Sequence, residues 1–225
     1  MTDSTPLPEI SVSQQFCGWA AGLEAGGIPH GVRAAINAAL LDFTGLCVAA
    51  RGIDYVGAMI SAENALGGGD GPGTALGHKA GLDAAAAALV NGTAAHGEDY
   101  DDTFEGTPVH TGAVILPAVL AAGGRFGASG SDVLRGAVVG TELMCRMALV
   151  APTGTHKAGF HPTAVMGALG AAAAVGVTLR MSQHQLTDAL GIAGSFASGI
   201  IEYLAEGSWT KRLHAGWAAQ SGVRA

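Results

Sequence analysis

LDAAAAALVNGTAAHGEDYDDTFEGTPVH, running from Leu82 to His110, sets the character of this 225-residue chain. Its first half is nearly all alanine with Leu89 and Val90, and Asp83 stands where a helix cap is expected, so it reads as a wholly buried helix from Leu82 to Ala95. Its second half reverses the chemistry. His96, Glu98, Asp99, Asp101, Asp102, Glu105 and His110 crowd into fifteen residues, and five of the eighteen acidic residues of the chain lie between Glu98 and Glu105. Carboxylates that close repel unless hydrogen bonds, a cation or shifted pKa values offset the repulsion. The stretch is therefore either an active-site loop on a buried helix or a solvated loop rich in capping residues.

The same alternation of apolar helix and polar connection recurs outward from this stretch. Ile10–Leu23 carries Val12, Phe16, Trp19 and Ala20 at helical spacing. A second helix is expected from Pro29 to Ala50 and a third from Asp54 to Leu66, where GGGDGPG (residues 67–73) interrupts. That glycine run lacks the Lys and Ser/Thr of a phosphate loop and reads as a breaker. Gly112–Ala122 contains Pro117 and reads as a kinked helix. Ser131 is the expected cap of a helix to Val150, with Val133, Leu134, Val138, Leu143 and Met147 inward. Helices are expected over Thr163–Arg180, over a segment opened by a Ser182/Gln185 capping box and reaching Ile200, and after Glu206–Gly216. No period-two alternation of any length is present, so the expected fold class is all-α: one compact helical-bundle domain over residues 1–225, with helices supporting loops that converge on one site.

Composition narrows the function. The chain is 49% hydrophobic and 13% charged, with a mean hydropathy of +0.36. The longest uncharged stretch, Ala158–Leu179, is made of Ala and Gly around His161 and Pro162, weak material for a membrane span, so no membrane is expected. The start, MTDSTPLPEI, has no basic region followed by an apolar run, and a cytoplasmic protein is expected. Cys17, Cys47 and Cys145 are odd in number and widely spaced, which favours reduced core thiols. A net charge of -7 argues against a nucleic-acid partner. Residues 1–142 hold fifteen acids against five Lys or Arg, and residues 143–225 hold three against six. An acidic first part is thus expected to face a basic second part.

Several chemistries remain open for the polar residues. Aspartates two apart suggest a calcium loop, but no glycine or terminal Glu falls at the required position. His96, His110 and a carboxylate have the ligand types for a transition metal at a spacing that matches no closed pattern. His110 and His161, each in a glycine-flanked polar loop, are the leading acid/base candidates against an ordinary structural role. Lys211 and Arg212 are either a solvated helix end or a clamp for a substrate carboxylate, with His156 and His214 adding basic character for substrate binding. No Gly-x-Ser-x-Gly elbow supports nucleophilic hydrolysis.

Three separated segments, LVNGTAAHGEDYDDT with HTGAVILPA, GFHPTAVMGALGAAAA, and ALGIAGSFASG with TKRLHAGWAAQSG, together resemble the MmgE/PrpD family, in the family's order and over most of the chain from about residue 30. Its members include 2-methylcitrate dehydratase, cis-aconitate decarboxylase and iminodisuccinate epimerase. The resemblance implies a large helical domain plus a smaller α+β domain that is missing from this chain, a homodimer, and proton transfer next to carboxylate-bearing carbons without metal or organic cofactor. It places Asp99, Thr103, His110, His161 and Lys211 in the active site. The expected substrate is a small di- or tricarboxylate, with dehydration first among lyase and isomerase reactions. A non-catalytic, dimerising helical module and a metal-dependent hydrolase are the competing readings. One departure stands out: family dehydratases and decarboxylases follow the histidine after the DDT motif with proline and serine, where this chain has HTG one residue later in its loop.

Overall fold

The structure, a computed structural model, describes residues 10–225; the stretch read for a secretory signal therefore lies outside the described residues except for Ile10. Three long helices form the centre: α4 (Ala84–His96), α8 (Pro162–Thr178) and α11 (Thr210–Arg224). All but one residue of α4 is buried, and α8 is buried along almost its whole length. The short side chains explain how. Alanine and glycine let helix axes approach closely, and α11 packs along both α4 and α8. A Cβ added to Gly92 of α4 would stand 2.7 Å from Gly216 Cα of α11, so this crossing exists only because both residues are glycine. Around the centre lie α5 (Gly112–Phe126), α6 (Gly130–Val150) and α9 (Gln183–Phe196), with α1 (Val12–Gly22), α2 (His30–Ala49) and α3 (Asp54–Ala65) outside them. Two single turns, α7 (Gly154–Lys157) and α10 (Tyr203–Glu206), sit in polar connections.

The Ser182/Gln185 box caps α9 as expected, although the helix stops at Phe196, short of Ile200. The expected cap of α6 moves from Ser131 to Ser129, because Ser129 and Asp132 satisfy each other's backbone amides in a reciprocal box. The inward face of α6 shifts with it. Val133, Leu134, Val138, Leu143 and Met147 are half-buried, whereas Gly136, Val139, Gly140, Met144 and Ala148 are buried. Close contact with α8 selects the glycines: a Cβ at Gly136 would collide with the Ala174 carbonyl and Thr178 Oγ1.

The all-α expectation needs one correction. The glycine run and the residues after it form an antiparallel pair, β1 (Gly69–Thr74) with β2 (Gly81–Leu82), whose register shifts between Gly69 and Gly73. The ribbon is held from below by Asn91 of α4, whose side chain accepts from Leu76 N (2.8 Å) and donates to Thr74 O (2.7 Å).

Ala158–Leu179, the stretch first weighed as a span, is mainly the buried helix α8. A different segment, His30–Gly52, is long and apolar enough to cross a membrane by length and composition, and only 11% of its apolar window is buried. It carries Arg33, Asn37 and Asp42 and packs on α4 and α5. Cys17 and Cys47 are buried and Cys145 half-buried, all as free thiols.

Candidate active site

The last turn of α4 ends at His96, and the chain enters the acidic loop through Gly97, Glu98 and Asp99. Asp99 adopts a left-handed backbone (φ 60°), tolerable for Asp but unusual for any residue with a Cβ. That turn aims its carboxylate at Lys211, whose Nζ donates to Asp99 Oδ1. Next, Asp101 turns inward and is only 6% exposed. Its Oδ2 lies 2.8 Å from His96 Nδ1 and 3.3 Å from His110 Nδ1. An ionised carboxylate only accepts, so both imidazoles must carry their proton on Nδ1 toward it. Asp102 points the other way and accepts from Thr111 Oγ1 (2.7 Å) and Gly112 N (2.8 Å), tying the loop to the start of α5. Thr103 is exposed, with Oγ1 3.4 Å from His110 Nδ1.

The facing wall comes from the second half of the chain. His161 precedes Pro162 at the start of α8 and is buried, its ring stacked on His96 at 5.7 Å between centroids. Its Nδ1 is 3.1 Å from Nδ1 of His214. Lys211 and Arg212 occupy the first turn of α11, where a helix dipole disfavours cations. Arg212 Nε donates to Gly97 O (2.7 Å) and its guanidinium lies over the Tyr55 ring at 5.3 Å. Tyr55 OH donates to Glu98 Oε1 (3.1 Å), and Trp209 stacks on the same ring at 6.0 Å.

Between the walls is a cleft of about 490 Å³. Asp99, His110, His156, His161, Lys211 and Arg212 all line it, so six of the eight residues singled out from sequence meet there. Thr103 stands beside His110, outside the lining. His214 was expected to hold substrate; instead it is 5% exposed and sits behind His161, because its position on α11 turns it toward the core. His96, Tyr203 and Trp209 also line the cleft, and Tyr203 packs edge-on to both His161 and His214. The visible hint for Tyr203 was a lone aromatic beside Glu202 in a polar connection. Tyr55 had no local hint, since its helix lies more than thirty residues upstream of the loop it braces.

Charge within the cleft is sharply graded. Burial works to raise the Asp101 pKa, but hydrogen bonds from His110 and His96 overcome it and hold the carboxyl well below its usual range. For Asp99 burial is likewise outweighed, here by Lys211. His110 loses some basicity to burial and regains more from Asp101, so its pKa is raised. His161 goes the opposite way: burial, reinforced by the positive groups around it, takes it down to about 2, and burial with His96 lowers His214 to about 4. His96, Asp99, Asp101 and His110 also bring four possible ligand atoms within 4.8 Å of one another, donors that suit a transition ion.

The MmgE/PrpD N-terminal domain matches residues 14–225 of the chain. The chain belongs to the MmgE/PrpD family. Cis-aconitate decarboxylase of Aspergillus terreus is 31% identical over 224 residues, covering 94% of this chain and 44% of the relative. Cis-aconitate decarboxylase-like protein oryM of Aspergillus oryzae is 31% identical over 233 residues, 99% of this chain and 47% of the relative. Human cis-aconitate decarboxylase is 37% identical over 145 residues, 62% of this chain and 29% of the relative. This MmgE/PrpD chain thus spans less than half the length of the curated relatives it matches.

Proposed function

We propose that the chain forms the helical part of a lyase that acts on a small di- or tricarboxylate by acid/base proton transfer, without metal or organic cofactor. The observation that carries this reading is the divergence of two histidines across one cleft: His110 is favoured as imidazolium by Asp101, and His161 is held neutral by burial. Paired groups pushed apart in this way supply an acid and a base at one pH. Lys211 and Arg212 stand on the same cleft and suit substrate carboxylates, Lys211 with two donors left beyond its contact to Asp99.

The names of the relatives move decarboxylation of cis-aconitate ahead of the dehydration expected from sequence. In that reaction the bond from a methylene carbon to its carboxylate breaks. The released electron pair forms a new C=C bond, and the old C=C pair takes a proton at the carbon bearing another carboxylate. His110 is placed to give that proton, while the two cations hold the carboxylates that remain. Dehydration would use the same pair differently, His161 removing a proton next to a carboxylate as His110 protonates the departing hydroxyl.

Incubation of the protein with cis-aconitate, citrate, 2-methylcitrate and iminodisuccinate in D2O tests the reading. Carbon dioxide release with one deuterium in the product is the expected result for cis-aconitate. No turnover and no calorimetric binding of any of the four would sink it. The four-donor cluster favours a metal-dependent hydrolase as the second reading, and elemental analysis of the purified protein separates the two.

A further inference from the structure

Among the residues around the cleft, His214 is outside the lining and buried, and its one side-chain hydrogen-bond neighbour among the described residues is His161. The 3.1 Å separation of the two Nδ1 atoms constrains both rings at once. A neutral imidazole has one N–H and one lone pair, so a hydrogen bond between two Nδ1 atoms needs a proton on one and none on the other. The pair must therefore be of opposite tautomers. Whichever ring donates keeps a bare Nε2, and the ring that accepts keeps Nε2–H.

The surroundings choose between the two arrangements. His161 faces His96 of α4, His110 of the acidic loop, Lys211 of α11 and Tyr203 of α10, a setting with more positive than negative neighbours at close range. Its Nε2 has no hydrogen-bond partner among the described residues, and the ring lines the cleft. A lone pair there avoids adding another N–H to a wall already supplied with donors by Lys211 and Arg212.

We propose that His214 is a positioning residue for His161: its Nδ1 accepts the His161 Nδ1 proton, fixing the tautomer in which His161 Nε2 presents a lone pair to the substrate. This rests on the acid/base reading of the site. In the dehydration described above, His161 Nε2 takes a proton from substrate carbon and the C–H electron pair stays on the substrate. The Nδ1 proton can then pass to His214 Nδ1, so that the positive charge moves one ring deeper and His161 becomes a neutral Nε2–H donor. Return of the proton from His161 Nε2 to product, and of the shared proton from His214, restores the starting pair.

The test is a long-range ¹H–¹⁵N correlation spectrum of the imidazole nitrogens, which reports tautomers without any substrate. In the wild-type protein His161 should show a protonated Nδ1 and a bare Nε2, and His214 the reverse. In His214→Phe, His161 should shift to a mixture dominated by Nε2–H, with kcat lowered by about 10²-fold or more on whichever carboxylate is turned over. An Nε2–H tautomer for His161 in the wild type overturns the proposal, even if the protein proves to be an active lyase. The expected tautomers in a protein that turns over none of the four carboxylates would leave the positioning role standing and remove the function assigned to the site.

Discussion

Asp101→Asn removes a buried negative charge while keeping the shape of the side chain, and its consequences follow from two distances. Asp101 Oδ2 accepts from His96 at 2.8 Å and from His110 at 3.3 Å, both as charge-assisted bonds once the carboxylate is ionised. A bond of that kind contributes about 1.5–3 kcal/mol. The His110 pKa, raised by Asp101 in the wild type, should therefore drop in the variant. Stability should fall by about 2–4 kcal/mol, because Asn offers one neutral acceptor where the carboxylate served two donors. The loss should depend on pH in a defined way. The Asp101 pKa is depressed in the fold, so its contribution is complete above about pH 4 and is lost as pH falls through the native value. The His110 pKa is raised, so its contribution is complete below about pH 6.5 and is lost as pH rises through the native value. Both are present only between about pH 4 and 6.5, and the gap between wild type and variant should be widest there. Urea unfolding of both proteins across this range, with NMR titration of the His110 ring, measures each quantity. A His110 pKa that does not fall, or a stability gap that widens above pH 8, would refute the assignment of Asp101 as the partner that holds His110 protonated.

Lys211→Ala should weaken binding of a tricarboxylate by about 10- to 100-fold in calorimetry, the worth of one charge-assisted contact, while leaving the unfolding midpoint little changed. Gly216→Ala would place a methyl group 2.5 Å from Thr93 Oγ1 and inside the Leu89 carbonyl, forcing α4 and α11 apart; a loss of about 1–3 kcal/mol in urea unfolding is expected. Asn91→Ala leaves Leu76 N and Thr74 O without their partner and should cost about 2–3 kcal/mol, with amide exchange accelerated first in the β1–β2 ribbon.

Periodic elements were the readable part of the fold. The helices that cap themselves, such as α9 with its Ser182/Gln185 box, carry their signal within four residues. The β1–β2 pair does not, since GDGPGT offers no alternating side chains and is held by Asn91 from a helix 17 residues away from Thr74. The inward face of α6 misleads for a related reason: counting large apolar residues selects Leu134 and Met147, while the tight approach to α8 selects Gly136 and Gly140. At the site, unusual density of polar types pointed to Asp99, His110, His161 and Lys211, which do meet on one cleft. Direction was illegible. Nothing in the sequence says that His214 turns inward or that Asp101, one residue from Asp102, reaches two histidines while Asp102 caps a helix.

The expected opposition of an acidic first part and a basic second part takes a specific form where α4 and α11 run antiparallel, with Arg212 bonded to Gly97 O at one end and Gln220 to Ala85 O at the other. Glu98 and Asp99 follow the C-terminus of α4, and Lys211 and Arg212 open α11; each pair opposes the dipole of its own helix and suits that of its neighbour. The arrangement is stable because of the crossing, and it leaves Lys211 and Arg212 on the same cleft as His110 and His161. A double-mutant cycle exposes this coupling. Lys211→Asp alone should destabilise the protein, since it faces Asp99 with a second carboxylate. Added to Asp99→Lys, the same substitution should stabilise it, because the ion pair re-forms with each charge now at the favourable end of its own helix. The left-handed backbone at residue 99 penalises Lys by about 1 kcal/mol in both proteins carrying it, and so cancels from the comparison. With both side chains partly exposed, the coupling should be about 1 kcal/mol. If Lys211→Asp lowers the unfolding free energy equally in the two backgrounds, the crossed charges are independent of each other and the ion pair does not couple the two helices.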